Sequence, residues 1–207
     1  MTILRRSLLV SAAAAAMHPL PSHASPPFRI RFCADVTRET CLQLQDALAQ
    51  AHQERQEFVS MVQAVADVTP ELPAIHLHVT SDGGDLLAAL NVYDHMSVLP
   101  NLHTHVEGMV ASAATLLTVP GSVRSMRNHS LLLVHQPSIG AGEGARRKYA
   151  DARDEYVNLE YCTRMLLEVY AAHTELTIDQ LSKLLSNEQC LTARQSLHYG
   201  FVDAIEE

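Results

Sequence analysis

The stretch Gly108–Leu117, GMVASAATLL, sets a single hydroxyl, Ser112, among small apolar residues where an extended run gives way to helix formers. A second extended run, SLLLV, ends at His135. At a third junction, Ser81-Asp82-Gly83-Gly84, two glycines let the backbone approach a ligand closely. A helix that starts at Ser112 directs backbone N–H groups outward, where they favour developing negative charge. A hydroxyl, an imidazole and two sets of backbone donors are the parts acyl transfer needs. A base activates the nucleophile, and fixed donors hold the oxyanion. Loss of one such donor typically costs about 3–4 kcal/mol of barrier stabilisation.

These groups can meet only if the strands that carry them lie side by side, and the pattern along the chain supplies that. Phe28–Val36 alternates as a strand. Arg38–Asp67 reads as a long helix, with Leu44, Leu48, Ala51, Phe58, Val62 and Val65 on one face. Ala74–Ser81 is a strand, and Asp85–Leu99 a helix that presents Leu86, Leu90 and Tyr93. Leu102–Val110 is the next strand, with a short helix from Ser112, and Ser130–Val134 is a third strand of that sheet. The loop SIGAGEGA leads to a long helix, Arg146–Ala172, followed by shorter ones in TIDQLSKLLS and Thr192–Tyr199. Alternating strands and helices predict an α/β fold with a mostly parallel sheet, whose active groups sit where strands end and helices begin.

The bulk numbers fit one such domain. The chain has 207 residues, is 47% hydrophobic and carries a net charge of −8, which argues against nucleic-acid and anionic-membrane partners. Arg5 and Arg6, an apolar run over Leu8–Met17 and the small residues around Ala24 read as an export signal over residues 1–24, with the domain over 25–207. LRRSLLV has a twin-arginine character. Export places the protein in the periplasm or outside the cell; a start at Met17 instead would leave it in the cytoplasm. Cys33, Cys41, Cys162 and Cys190 form an even set without metal-ligand spacing, open to disulfides or to buried free thiols.

The blocks SDGGDLLAALNVYDHM, GMVASAATLL, NHSLLLVHQP, AAHT and LTARQSLHYGFVD are more specific together than any one spacing. In these blocks, from about Phe28 to Ile205, the chain resembles the Clp protease proteolytic-subunit family, serine peptidases of the Clp/crotonase fold. The resemblance implies Ser112 as nucleophile, His135 as general base, and the backbone N–H groups of Gly84 and Ala113 as the oxyanion hole. It implies no cofactor, a peptide or unfolded-protein substrate, and a homo-oligomer of two stacked heptameric rings. Arg146–Ala172 would be the protruding handle that joins the rings. Tyr149, Tyr156, Val157 and Leu159 would then be interfacial or else ordinary core, and Arg146, Arg147 and Lys148 paired across rings or solvated.

The chain departs from the family pattern at three places. The third triad member, an aspartate in the family, falls on Glu188, which is one methylene longer and either orients His135 or is a solvated helix-end side chain. Asp82 stands where the family has proline, adding a carboxylate near the site. His76, His78, His105 and Glu107 share strand faces by their i, i+2 spacing. They occupy positions where the resemblance implies an apolar pocket for loops of a partner unfoldase. A polar pocket would forfeit most of the burial energy of an apolar loop, at about 25 cal/mol per Å². One expectation follows, that the usual ATP-driven unfoldase is not used. The cluster itself reads as a polar, solvated surface patch, with His76, His78, His105 and Glu107 as candidate ligands of a divalent metal such as zinc the alternative. An inactive scaffold and a crotonase-like acyl-CoA enzyme are the rival functions.

Overall fold

The computed structural model describes residues 28–66, 70–138 and 148–207. The expected signal over residues 1–24, most of the SIGAGEGA loop, Arg146 and Arg147 lie outside the described residues. Strands β1 (Phe28–Cys33), β2 (Ile75–Ser81), β3 (Leu102–Ala111), β4 (Val123–Arg127) and β7 (Ala204–Glu206) form a parallel sheet in the order β1-β2-β3-β4-β7. Strand β5 (Leu131–Leu133) pairs with the far end of β3, and β6 (Cys190–Thr192) runs antiparallel to β5.

Helices α1 (Arg38–Ala66), α2 (Leu86–Ser97), α3 (Tyr149–His173), α4 (Ile178–Leu185) and α5 (Ala193–His198) complete the fold, with a short 3₁₀ helix over Ser112–Leu117. The alternate positions Ile75, Leu77 and Val79 of β2, and Leu102 and Val106 of β3, are buried with Leu44 and Leu48 of α1 and Val92 and Met96 of α2. Among the described residues no helix is long and apolar enough to cross a membrane.

Several expectations need correction. Phe58 and Val65 are exposed and Val62 is half-buried, because α1 outruns the sheet after Arg55. The core side of α2 is Ala89, Val92 and Met96, with Leu86, Leu90 and Tyr93 half-buried beside it. Strand β4 stands between β3 and β7, and β5 is not a simple third strand of the series. All four cysteines are free, and only Cys41 is buried. Tyr149 and Tyr156 are exposed and Val157 and Leu159 half-buried, so they are not core. Helix α3 buries only Leu166 and Tyr170, and its first half is exposed or half-buried throughout.

Strand β3 decides where Ser112 goes. Its first half pairs with β4 and its last three residues with β5. Between them the register against β2 slips from Val79↔Val106 to Ser81↔Val110, and Gly108 takes a φ of 68°. The bulge is stapled from both sides. The Thr80 hydroxyl donates to the Glu107 carbonyl at 2.6 Å, and the Gly108 N–H donates to the Ser130 hydroxyl at 2.8 Å. Such a bulge bends its strand and re-aims the residues beyond it, here Ala111 and Ser112.

Arg55 is wholly buried under the start of the sheet. It donates to the carbonyls of Pro73 at 3.0 Å, Pro100 at 2.7 Å and Asn101 at 3.3 Å. Burial alone pushes its guanidinium below its ordinary value. It ties the C-terminal part of α1 to the two loops that enter β2 and β3.

Candidate active site

The bulge delivers Ser112 to the end of β3 with a φ of 56°, a left-handed conformation that an L-residue adopts at a cost of roughly 1–2 kcal/mol. The chain turns sharply there and leaves the hydroxyl at the mouth of the 3₁₀ helix. His135 follows β5, the strand that pairs with this end of β3, and its Nε2 lies 2.8 Å from the Ser112 Oγ. The Gln136 N–H donates to the Leu185 carbonyl at 3.0 Å, which fixes the segment after the imidazole to the end of α4.

Gly83 and Gly84 have φ values of 100° and 145°. Their close approach is to the protein's own backbone. A Cβ on Gly83 would meet the Ala111 carbonyl oxygen and the Ser112 Cβ at 2.7 Å, and the Ala113 nitrogen at 3.2 Å. A Cβ on Gly84 would sit 2.1 Å from the Val36 carbonyl oxygen. The bridge to Val36 uses the Gly83 carbonyl and the Asp85 N–H, each at 2.8 Å, and leaves the Gly84 N–H out of the pairing. Asp85 caps α2 through the N–H groups of Leu87 and Ala88. The loop that holds Gly84 is thus fixed at both ends and pressed against the serine turn, beside the Ala113 amide.

Glu188 is held less firmly. Its Oε1 is 3.8 Å from the His135 Nδ1, too long for a hydrogen bond, and its side chain is 83% exposed against 22% for His135. A solvated pair of this kind is worth little. Glu188→Gln is therefore expected to lower kcat by less than about 10-fold, against the roughly 10⁴-fold loss when a buried orienting carboxylate is altered. A kcat–pH profile of the variant checks this. Asp82 is exposed, with its charge open to screening.

The candidate metal-ligating histidines lie on neighbouring strands. Register places Arg31, His78, His105 and Ser125 in one row across four strands. The His78 and His105 rings stack at 4.3 Å with 12° between planes. His76 Nδ1 is 2.9 Å from His105 Nε2, and His105 Nδ1 is 2.7 Å from Glu206 and 2.6 Å from Ser125. The Nδ1 of His78 is 3.0 Å from Glu107, which also pairs with Arg127 at 3.2 Å. Of the two histidine pairs in register, His78 and His105 stack, whereas His76 and His103 meet edge-on at 5.0 Å and 74°, and nitrogens of His76, His78 and His105 are engaged in hydrogen bonds. Among the described residues no group of three His, Cys, Asp or Glu side chains is placed to hold a metal ion. His76, His78, His105 and Glu107 make a hydrogen-bonded polar sheet face. Ser125, Arg127 and Glu206 belong to it and were missed, because nothing in the sequence marks β4 and β7 as its neighbours.

Burial, then the neighbouring imidazoles, push His76 and His78 down to about 4. Burial works to raise Glu107, but its His78 and Arg127 partners outweigh it and hold the carboxyl below the usual range. At neutral pH His78 is uncharged and serves Glu107 as a donor, while Arg127 supplies the charge. An unfolded histidine binds its proton near 6.5, so between about pH 6.5 and 4 the unfolded chain takes up protons that the native sheet refuses. Stability from this face is full above that window and is lost as pH falls through it. For His78, which is 4% exposed, the ceiling is about 3 kcal/mol. Thermal melting is expected to drop steeply from pH 7 to pH 4.5, and His76→Phe with His78→Phe to flatten that slope.

A mostly parallel α/β sheet that sets a serine and a histidine at adjoining strand ends, with a long handle helix, has the Clp/crotonase-like fold. The chain belongs to the Clp protease family, whose model matches residues 32–207. It is similar to the ATP-dependent Clp protease proteolytic subunit 2 of Thermobifida fusca, 33% identical over 134 residues that cover 63% of this chain and 64% of that protein. It is also similar to subunit 1 of Corynebacterium jeikeium, 32% identical over 63% of this chain and 69% of that protein. Subunit 1 of Leifsonia xyli is 33% identical over 64% of this chain and 67% of its own length. The match thus spans about two-thirds of the length of these relatives.

Proposed function

We propose that this chain is a serine endopeptidase that cuts peptide bonds through an acyl-enzyme on Ser112. The 2.8 Å contact between the Ser112 Oγ and the His135 Nε2 carries the reading. His135 takes the hydroxyl proton as Oγ attacks the carbonyl carbon, and the oxyanion rests on the N–H groups of Gly84 and Ala113. As the C–N bond breaks, His135 returns the proton to the leaving amine. Water then enters by the same route in reverse and frees the acid. Glu188 steadies the imidazole through solvent rather than by a direct hydrogen bond.

The relatives are named as proteolytic subunits of an ATP-dependent protease. For this chain we assign assembly with its own copies, which the exposed Tyr149, Tyr156 and Tyr161 of α3 support, and action without the usual unfoldase. The polar sheet face supports the second part, since an apolar loop laid on it would leave buried imidazoles and carboxylates facing hydrocarbon. Export supports it too, because the periplasm lacks ATP; Arg5, Arg6 and the apolar run that follows favour that location. Short peptides and unfolded chains are the expected substrates. The exposure of Glu188 favours a silent scaffold as the second reading. The test is hydrolysis of fluorogenic peptides by the purified chain without ATP or any ATPase, beside acyl-CoA thioesters. Cleavage of peptides and not thioesters supports the proposal. No turnover of peptides, or turnover of acyl-CoA alone, overturns it.

A further inference from the structure

Beneath the serine turn a buried hydroxyl chain leads away from the site. The Thr115 Oγ1 donates to the Ser112 carbonyl at 2.7 Å, and the Tyr170 hydroxyl lies 2.6 Å from the same Oγ1. Because the threonine proton goes to the carbonyl, Tyr170 must donate to Thr115. Both residues are buried, Tyr170 at 1% exposure with its ring edge-on to Phe201 at 5.5 Å. Burial pushes the Tyr170 phenol up to about 12, so it keeps its proton. A threonine that bonds back to the carbonyl three residues earlier is common in helices. What sets this one apart is the second hydroxyl, delivered by the last turns of the handle helix, and the carbonyl it holds.

That carbonyl belongs to Ser112, whose backbone is in the left-handed region, and it shares a peptide plane with the N–H of Ala113. A peptide unit is planar, and in the trans form its C=O and N–H point in opposite directions; no cis peptide is present among the described residues. Holding the oxygen inward therefore fixes the direction of the N–H outward. Among the described residues no side chain caps the start of the 3₁₀ helix.

We propose that Thr115 and Tyr170 are positioning residues that lock the Ser112–Ala113 peptide plane and so aim the Ala113 N–H at the oxyanion. The inference rests on the peptidase reading and names what holds that site ready. It also makes the base of the handle part of the catalytic framework, since Tyr170 is one of the two residues by which α3 is buried in the domain.

The test uses the full chain with Thr115→Val, Thr115→Ser and Tyr170→Phe. Three quantities are read: kcat and KM on a fluorogenic peptide, the rate at which a fluorophosphonate modifies Ser112, and thermal melting. Full loss of an oxyanion donor costs about 10²–10³-fold, so a misaimed one is expected to cost about 10–100-fold in kcat. Thr115→Val should show that loss with KM within about twofold, and phosphonylation slowed in step. Thr115→Ser should recover most of it, and Tyr170→Phe should fall between. Wild-type rates in Thr115→Val, a loss confined to KM, or a serine variant as slow as the valine one would each overturn the inference. If Thr115→Val fails to fold, Thr115→Ser at near wild-type rate with Tyr170→Phe slowed in kcat still supports it, and Tyr170→Phe at wild-type kcat overturns it. A wild-type chain that is not modified at Ser112 overturns the peptidase reading and this inference with it. A modified wild type with an equally fast Thr115→Val overturns the inference alone.

Discussion

Ser112→Ala is expected to lower peptide hydrolysis by roughly 10⁴-fold or more while leaving the fold intact. The hydroxyl lies at the mouth of the turn, and its one described side-chain partner is His135. Removing it opens no cavity in the core. The backbone stays held by the Thr115 bond to the Ser112 carbonyl and by the neighbouring glycine loop. Ser112→Gly sharpens the point. Glycine adopts a φ of 56° without the penalty an L-residue incurs. That variant should melt no lower than the parent and be equally inactive. Stability and activity would then part company at one residue, as expected where strain is kept for function. Steady-state kinetics and a melting curve on each protein check both halves.

Gly84→Ala is the second large effect, and it acts through the backbone. The new Cβ would meet the Val36 carbonyl oxygen at 2.1 Å, on a residue whose φ of 145° disfavours any side chain. The obstacle is backbone, so no rotamer change relieves it. The loop must move, which breaks the bridge to Val36 and carries the Gly84 N–H away from its place. An oxyanion donor displaced in this way is expected to cost about 10²–10³-fold in kcat. The melting temperature should fall as well, because the Asp85 N–H bond to Val36 goes with it. An Asp82→Ala control in the same loop alters an exposed side chain only and should change kcat far less.

The serine, the histidine and the glycine junction were legible because each lies at a change of period. Alternation stops at Ala111, the apolar run of β5 stops before His135, and the glycines interrupt β2 and α2. Strand order was legible only in part. The strands β4, β6 and β7 are three to five residues long, too short for a period-two pattern to stand out. The two-way pairing of β3 depends on a bulge held by Thr80 and Ser130, and those side chains act across strands. The meaning of the glycines was also hidden. They read as room for a ligand, but Gly83 and Gly84 make room for Ser112 and Val36.

The histidines show how far alternation reaches. It placed His76 with His78, and His105 with Glu107, on common faces, and the structure keeps them there. It carried no information on ring orientation. The same parallel register stacks His78 on His105 but sets His76 edge-on to His103, and nitrogens of His76, His78 and His105 go to hydrogen bonds with neighbouring side chains. Thr115 and Tyr170 were invisible for a related reason. A threonine inside a small-residue helix and a tyrosine on a long helix each read as filler until the fold brings their hydroxyls to 2.6 Å.

The central claim is that Ser112 is a nucleophile activated by His135. The most direct test exposes the purified chain to a fluorophosphonate and locates the adduct by mass spectrometry. The account predicts one adduct, on Ser112, absent in Ser112→Ala and formed far more slowly in His135→Ala. A folded chain that stays unmodified, or one modified at another residue with Ser112 untouched, would contradict it.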